Sequence, residues 1–347
     1  MKRILSLWSM PNKKIITVLF ILSFIIGGMT AGWFWHDMQT QLDAPINITV
    51  PNSLTYIIKP GMNLKQVAQD LTQLGILDHP YYFMLEGRLQ GSESRLKAGE
   101  YLLKPGVTQR QLLEQFVAGK VVQHSLTLIE GWSFRQLMNE VSSNGTLVQT
   151  LANVDSKTVM TALAYPEVHP EGRFFPDTYH FPIGMTDIEF LRRAYVKMAR
   201  VLEEEWQQRE AGLPYKTSDE ALIMASILEK ETAVAEERAA IAGVFVRRLQ
   251  KGMKLQTDPT VIYAMGDDYH GNIRRKDLKI DSPYNTYFYV GLPPTPISLP
   301  GVEAIHAALH PEDGETLYFV AKGDGSHYFS KTLKEHNRAV ARYQLGK

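Results

Sequence analysis

Tyr56-Ile-Ile-Lys-Pro-Gly61-Met-Asn63-Leu64-Lys-Gln-Val67-Ala68 reads as a strand, a glycine turn and the first turns of an amphipathic helix. Tyr101-Leu-Leu-Lys-Pro-Gly106-Val-Thr108-Gln-Arg-Gln-Leu112-Leu113 repeats the pattern closely, and Leu126-Thr-Leu-Ile-Glu-Gly131-Trp-Ser133-Phe-Arg-Gln-Leu137 repeats it loosely. The shared spacing has a physical cause. Glycine adopts the turn conformation that side chains disfavour, and Asn, Thr or Ser two residues later supplies the side-chain oxygen that caps a helix start. Short strands alternating with helices point to an α+β fold. One reading of the repeat is a supersecondary unit that simply packs on itself.

Upstream, Ile15 to Trp35 (IITVLFILSFIIGGMTAGWFW) is an uncharged run of 21 residues, long enough to cross the roughly 30 Å of a bilayer's hydrocarbon as one helix. A secretory signal has a shorter apolar stretch and a small-residue cleavage site. Gly27, Gly28, Ala31 and Gly32 imitate such a site, but the run continues into Trp33-Phe34-Trp35, an interfacial aromatic anchor. The expectation is therefore an uncleaved anchor. Lys2, Arg3, Lys13 and Lys14 precede it, whereas Asp37 and Asp43 follow, so the N-terminus is expected in the cytoplasm and the rest outside, in the periplasm of a bacterium. Residues 36–52 read as a polar, Pro-containing tether.

The 347 residues carry 37 Lys plus Arg against 37 Asp plus Glu and no cysteine. The length allows two compact domains plus an appendage. Zero net charge excludes an electrostatic nucleic-acid binder. Without cysteine there is no disulfide framework, thiol nucleophile or cysteine metal site, so any acid or nucleophile is O- or N-based. Setting aside the four basic residues before the apolar run leaves 33 basic against 37 acidic, a mildly acidic outward part suited to a neutral polymer.

Chemistry concentrates after residue 170. Glu171-Gly-Arg-Phe-Phe-Pro176-Asp177-Thr178-Tyr179 is aromatic and broken by proline, and Asp187 to Arg209 has helical periodicity. Thr217 and Ser218 are candidate caps for a helix through Glu231, and a second helix spans Glu236 to Gln250 before Gly252. At about 100° per residue, Glu231 falls on the stripe of Ile223, Met224, Ile227 and Leu228, while Glu229 points away with Leu222 and Ala225. A carboxyl group desolvated on that large apolar face would keep its proton near neutral pH, as a general acid must. A glutamate ion-paired at a domain contact is the alternative, and Glu229 reads as structural, binding a backbone group or a hydroxyl.

Leu255-Gln256-Thr257-Asp258-Pro259-Thr260-Val261-Ile262-Tyr263 puts an amide, hydroxyls, a carboxylate and a phenol on a proline-shaped turn. Asn285-Thr286-Tyr287 and Gly291 to Ile297 add a second polar, aromatic loop. Amides and carboxylates bind sugar hydroxyls and aromatic faces stack on sugar rings, although loop shaping alone explains any single residue. His306 and His310 have helical zinc-pair spacing, but Ala307 stands where HExxH needs its glutamate and Pro311 follows, so a structural or solvent-facing pair is the better reading. No GxSxG or phosphate loop is present, and neither metal nor cofactor is expected.

Glu229-Lys-Glu231-Thr232-Ala-Val, with Glu237-Arg238, Val244 to Leu249, Gly252-Met253, Leu255 to Tyr263 and Gly266, resembles the YceG-like family along nearly the whole chain. The first strand–turn–helix unit resembles a LysM module, a small βααβ fold that binds N-acetylglucosamine-containing glycans. The resemblance implies residues 1–14 in the cytoplasm, a transmembrane helix over 15–35, a linker over 36–52, a LysM-like subdomain over 53–125 and a mixed α+β YceG-like catalytic domain over 126–347. It implies a membrane-anchored lytic transglycosylase, a lyase, that cleaves the β-1,4 bond between N-acetylmuramic acid and N-acetylglucosamine within nascent peptidoglycan. The products carry 1,6-anhydro ends, and the cut limits strand elongation.

By the same resemblance Glu231 is catalytic, and Gln256, Thr257, Asp258, Tyr263 and Asn285 are candidate substrate contacts. The family's aromatic segment maps onto Glu171 to Thr178, with Phe174 and Phe175 where tryptophans are often found. Expected partners are glycan strands, the membrane and peptidoglycan synthases. Two other readings remain: a non-catalytic LysM-type scaffold of the cell-wall synthesis machinery, and a muramidase using Asp258 as second carboxylate.

Overall fold

The computed structural model describes residues 13–46 and 53–346. The chain divides into two compact units, Met1–Gln123 and His124–Lys347.

The first unit starts with helix α1 (Lys13–Asp43), whose 31 residues span about 46 Å. Its Ile15–Asp43 stretch is long and apolar enough to cross a membrane, and its most apolar window, mean hydropathy 2.2, buries nothing inside the protein. The helix does not stop at Trp35. It continues through part of the segment expected as a tether, because residues 36–43 contain neither glycine nor proline and Met38 and Leu42, four apart, are fully buried. Arg110 fixes its last turn, donating to Asp43 (2.9 Å) and Gln39 (2.6 Å). The remainder of the expected tether, 47–52, lies outside the described residues.

Strand β1 (Leu54–Ile58) pairs antiparallel with β2 (Gly99–Leu103), Tyr56 opposite Tyr101. Helices α2 (Leu64–Gln73) and α3 (Pro80–Leu89) lie between them in sequence, and α4 (Gln109–Ala118) follows. Phe83, Tyr101, Leu112 and Phe116 are fully buried in one core against Leu71 and Val67.

The second unit opens with the same order. Strand β3 (His124–Thr127) pairs antiparallel with β4 (Thr178–Phe181), α5 (Phe134–Ser143) and α6 (Ser156–Ala162) intervene, and α7 (Asp187–Gln207) follows. All three strand–turn–helix units expected from sequence are present, and a fourth joins them at β4 and α7. Gly61, Gly106, Gly131 and Gly184 have φ of +84°, +82°, +77° and +89°. Asn63, Thr108, Ser133 and Thr186 then each close a capping box with Gln66, Gln111, Gln136 and Glu189. The fourth copy is obscured in the sequence because Pro182 directly follows a four-residue strand, one place earlier than the proline of the first two copies, and an acidic Asp-Ile-Glu replaces the Gln-containing helix start.

Helix α7 feeds two cores. Phe190, Leu191 and Ala194 pack with β3, β4, α5 and α6, whereas Met198 and Leu202 join the core of α8 (Ser218–Glu231), α9 (Ala235–Gln250) and α11 (Val302–Leu309). Helix α10 (Asp258–Met265), the hairpin of β5 (Tyr318–Ala321) and β6 (His327–Ser330), and α12 (Leu333–Tyr343) complete the unit. Helix α8 is not amphipathic in the expected sense: every residue from Ala221 to Leu228 is buried, so no solvent face separates Glu229 from Glu231.

Thr186→Ala removes a capping-box oxygen from the longest helix of the second unit and should lower stability by about 1 kcal/mol, read as a drop of about 2–4 °C in melting temperature.

Candidate active site

Glu231 is the last residue of α8, and Thr232 closes the helix. It contributes to the wall of a cavity of about 510 Å³, shared with Gln256 and Asp258 from the loop entering α10 and with Arg248, Tyr287, His327 and His336 from other elements. The Thr257 hydroxyl donates to Glu231 Oε2 at 2.7 Å. Crowding by protein atoms raises the Glu231 pKa above the ordinary carboxylate range; the Thr257 hydrogen bond opposes this, the nearby Asp258 charge adds to it and His327 opposes it. The arrangement favours the protonated form of a carboxyl group that faces the cavity.

Glu229 has a different task. Its Oε2 accepts the Gly301 backbone N–H at 2.9 Å, anchoring the residue that caps α11. Ser226 adds a second tie, accepting the Ile297 N–H at 3.0 Å while its carbonyl accepts the Ser298 hydroxyl. Thus α8 is both the core of this unit and the post to which the 297–301 loop is fastened.

The five candidate contacts separate. Gln256 and Asp258 are exposed on the cavity wall. Gln256 holds the left-handed φ of +52°, a conformation costly for a side-chain-bearing residue and fixed here by its N–H bond to the Thr286 carbonyl. Asp258 accepts the Tyr287 hydroxyl at 2.6 Å. Thr257 is buried and touches Glu231, not the open cavity. Asn285 is fully buried: its amide donates to the Leu278 and Ile280 carbonyls and its oxygen accepts the Tyr287 N–H, so it braces the loop that presents Tyr287. Tyr263 points elsewhere, donating to Glu171 at 3.0 Å. The Thr260 and Thr286 hydroxyls bond each other and the Thr257 backbone, its N–H donating to Thr286 and its carbonyl accepting from Thr260, and so lock the two loops together.

Sequence reasoning gave no individual site role to Arg248, to Tyr287 within its polar loop, or to the C-terminal hairpin and helix. Arg248 is buried with no carboxylate partner among the described residues and donates to the carbonyls of Leu317, Lys254 and Leu255, tying β5 to the loop before Gln256. His327 and His336 come from β6 and α12, and the His-Tyr-Phe and Glu-His-Asn stretches after Gly325 were the available signal.

Glu171, in the aromatic segment, is buried among Phe134, whose N–H it accepts at 2.8 Å, and Tyr263. Burial pushes its pKa up to about 7 despite these donors. Phe174 and Phe175 are both core residues, so they are not sugar-stacking platforms.

A larger groove of about 840 Å³ runs along β4 and α7. Its cations are engaged already: Arg192 donates to the Ala162 and Leu163 carbonyls, and Lys197 pairs with Asp177. His306 and His310 stack at 4.2 Å, and the fold brings Glu205 to them, with Oε2 2.8 Å from His306 Nδ1. This trio could hold a metal ion, but it belongs to α7 and α11 and contributes nothing to the cavity of Glu231.

The model of the YceG-like family matches residues 56–342. A Bacillus subtilis protein named endolytic murein transglycosylase is 32% identical over 325 residues, 89% of this chain and 87% of its own length. A Streptococcus pneumoniae protein of the same name is 28% identical across 93% of this chain and 65% of its own length. The crystal structure of a YceG-like protein from Listeria monocytogenes is similar at a TM-score of 0.52 with 34% identity, covering 83% of this chain and 99% of that one.

Two consequences are measurable. With a folded pKa of about 7 against an ordinary 4.5, Glu171 binds its proton more tightly in the folded state. Its contribution is complete below pH 4.5 and is lost as pH rises to about 7. Glu171→Gln should therefore flatten the stability–pH curve across that window by on the order of 3 kcal/mol, measured by denaturant unfolding. Thr257→Val removes the donor that steadies the Glu231 carboxylate and should shift the Glu231 titration further upward, seen by NMR of the labelled side-chain carboxyl carbon.

Proposed function

The chain belongs to the YceG-like family, and from that membership and the Glu231 site we propose that it is an endolytic murein transglycosylase, a lyase acting within peptidoglycan strands. The observation that carries the reading is Glu231 itself: a carboxyl group of raised pKa, hydrogen-bonded by Thr257, opening on a cavity large enough for sugar rings. Glu231 protonates the oxygen of the bond between N-acetylmuramic acid and N-acetylglucosamine. The muramyl C6 hydroxyl attacks C1, its proton is taken up by a base, and a 1,6-anhydro end forms. Because the substrate supplies its own nucleophile, no water is consumed, unlike hydrolysis by a pair of carboxylates.

Gln256 and Asp258 are the substrate contacts of this reading, while Thr257 positions the acid and Asn285 and Tyr263 hold its surroundings. The Asp258 carboxylate is occupied by the Tyr287 hydroxyl, which favours a binding role over that of a hydrolytic base. The second unit is the catalytic one. The first, with its strand–helix–helix–strand order, is a LysM-like holder of the glycan, and α1 anchors it in the cytoplasmic membrane with the N-terminus inside and the catalytic unit in the periplasm. Cutting nascent strands there limits their length beside the synthases that make them.

Glu231→Gln should lower the release of anhydro-muropeptides from polymeric glycan by on the order of 10³-fold without loss of glycan binding. Mass spectrometry of the products decides among the readings. Anhydro ends support the transglycosylase; reducing ends, heavier by one water, mean a muramidase; no cleavage by the wild-type protein means a scaffold.

A further inference from the structure

The cavity of Glu231 holds a second proton-transfer group in a prepared geometry. His327 opens β6, and Glu237 on α9 holds it twice. The backbone N–H of His327 donates to both Glu237 oxygens, at 2.9 and 3.1 Å, and the ring Nδ1 lies 2.7 Å from Oε2. A carboxylate only accepts, so Nδ1 carries the hydrogen and Nε2 is the unprotonated nitrogen of the neutral ring. The ring also stands edge-on to Phe319 at 5.3 Å, which restricts its rotation. No described residue bonds Nε2, and His327 shares the cavity wall with Glu231. This is the construction by which a carboxylate selects the tautomer of a histidine base.

We infer that His327 Nε2 accepts the proton of the muramyl C6 hydroxyl while Glu231 protonates the leaving oxygen, with Glu237 as the residue that positions His327. The inference rests on the reading of Glu231 given above and divides the acid and base tasks between two side chains. As the C1–O bond breaks, the departing N-acetylglucosamine oxygen takes the Glu231 proton, the C6 oxygen bonds to C1, and the C6 hydroxyl proton goes to Nε2. Transfer of that proton from His327 to Glu231 through cavity water resets both groups, with no net gain or loss.

Around His327, the charged or titratable groups are Glu237 on α9 and Lys322 in the β5–β6 turn, with Glu231 at the end of α8 and Asp258 at the start of α10. Arg248, Tyr287 and His336 face the same cavity. Glu237 titrates below the ordinary glutamate range: burial works against this, but the bonds from His327 and the charge of Lys322 outweigh it.

The test is the pH dependence of kcat/KM on soluble uncrosslinked glycan, using the full chain in detergent. If Glu231 acts alone, activity needs only its protonated form and falls only on the alkaline side. With His327 as base, activity also falls on the acidic side as the imidazole is protonated. His327→Gln should cost about 100-fold and abolish that acidic limb, with anhydro products unchanged. Glu237→Gln, which keeps an oxygen acceptor but removes the charge, should move the acidic limb to lower pH. If His327→Gln does not fold, as read from its melting curve, the shift in Glu237→Gln decides. Wild-type acidic limbs in whichever folded variant is read overturn the role of His327 and leave Glu231 standing. An active Glu231→Gln overturns the reading of the acid instead.

Discussion

The second unit depends on the complete burial of helix α8. From Ala221 to Leu228 every side chain is enclosed, and Ser226 and Glu229 spend their polar atoms on the 297–301 loop. A helix so enclosed cannot shift without opening the core on several sides at once. Its last residue, Glu231, therefore stands in a fixed place at the boundary between dense protein and the cavity. That position raises its pKa and still leaves it on the cavity wall, two conditions that conflict on an ordinary helix surface. Thr257 supplies the hydrogen bond that holds the carboxyl group without neutralising its chemistry.

The rest of the cavity is assembled from loops tied to this helix or to each other. The Thr257 backbone N–H and the Thr260 and Thr286 hydroxyls join the loop entering α10 to the loop carrying Tyr287, and Asn285 braces the latter from within. Arg248 tethers β5 to the carbonyl of Leu255. A buried guanidinium satisfied by carbonyls is a rigid strut, and it brings the C-terminal hairpin, with His327, to the face that bears Glu231. The strained backbone of Gln256 lies at the junction of these ties.

Both units also share one local device. A positive-φ glycine followed by a capping box starts a helix immediately after a strand, and pairs of such units close a two-stranded antiparallel sheet. Neither sheet could be stable alone, so each depends on the helices that the device launches. Three copies were legible because Gly, cap and Gln recur at fixed spacing. The fourth was hidden by Pro182 and by Glu189 standing for glutamine, although the geometry is the same.

What the sequence determined by itself is what local spacing and composition control: the apolar helix, the strand–turn–helix units, and the extent of α8 and α9. These follow from backbone preference, capping and hydrophobic length, which act over a few residues. Its argument for Glu231 nevertheless used a wrong premise, since α8 has no exposed face; the environment of the two acids is set by the loops around the helix end. Only the tertiary structure decided that Glu229 binds Gly301, that Thr257 serves Glu231, that Asn285 and Tyr263 turn away from the cavity, and that His327 arrives there from 96 positions downstream of Glu231. Those outcomes depend on which loops a packed core brings together, and no short-range pattern encodes that meeting.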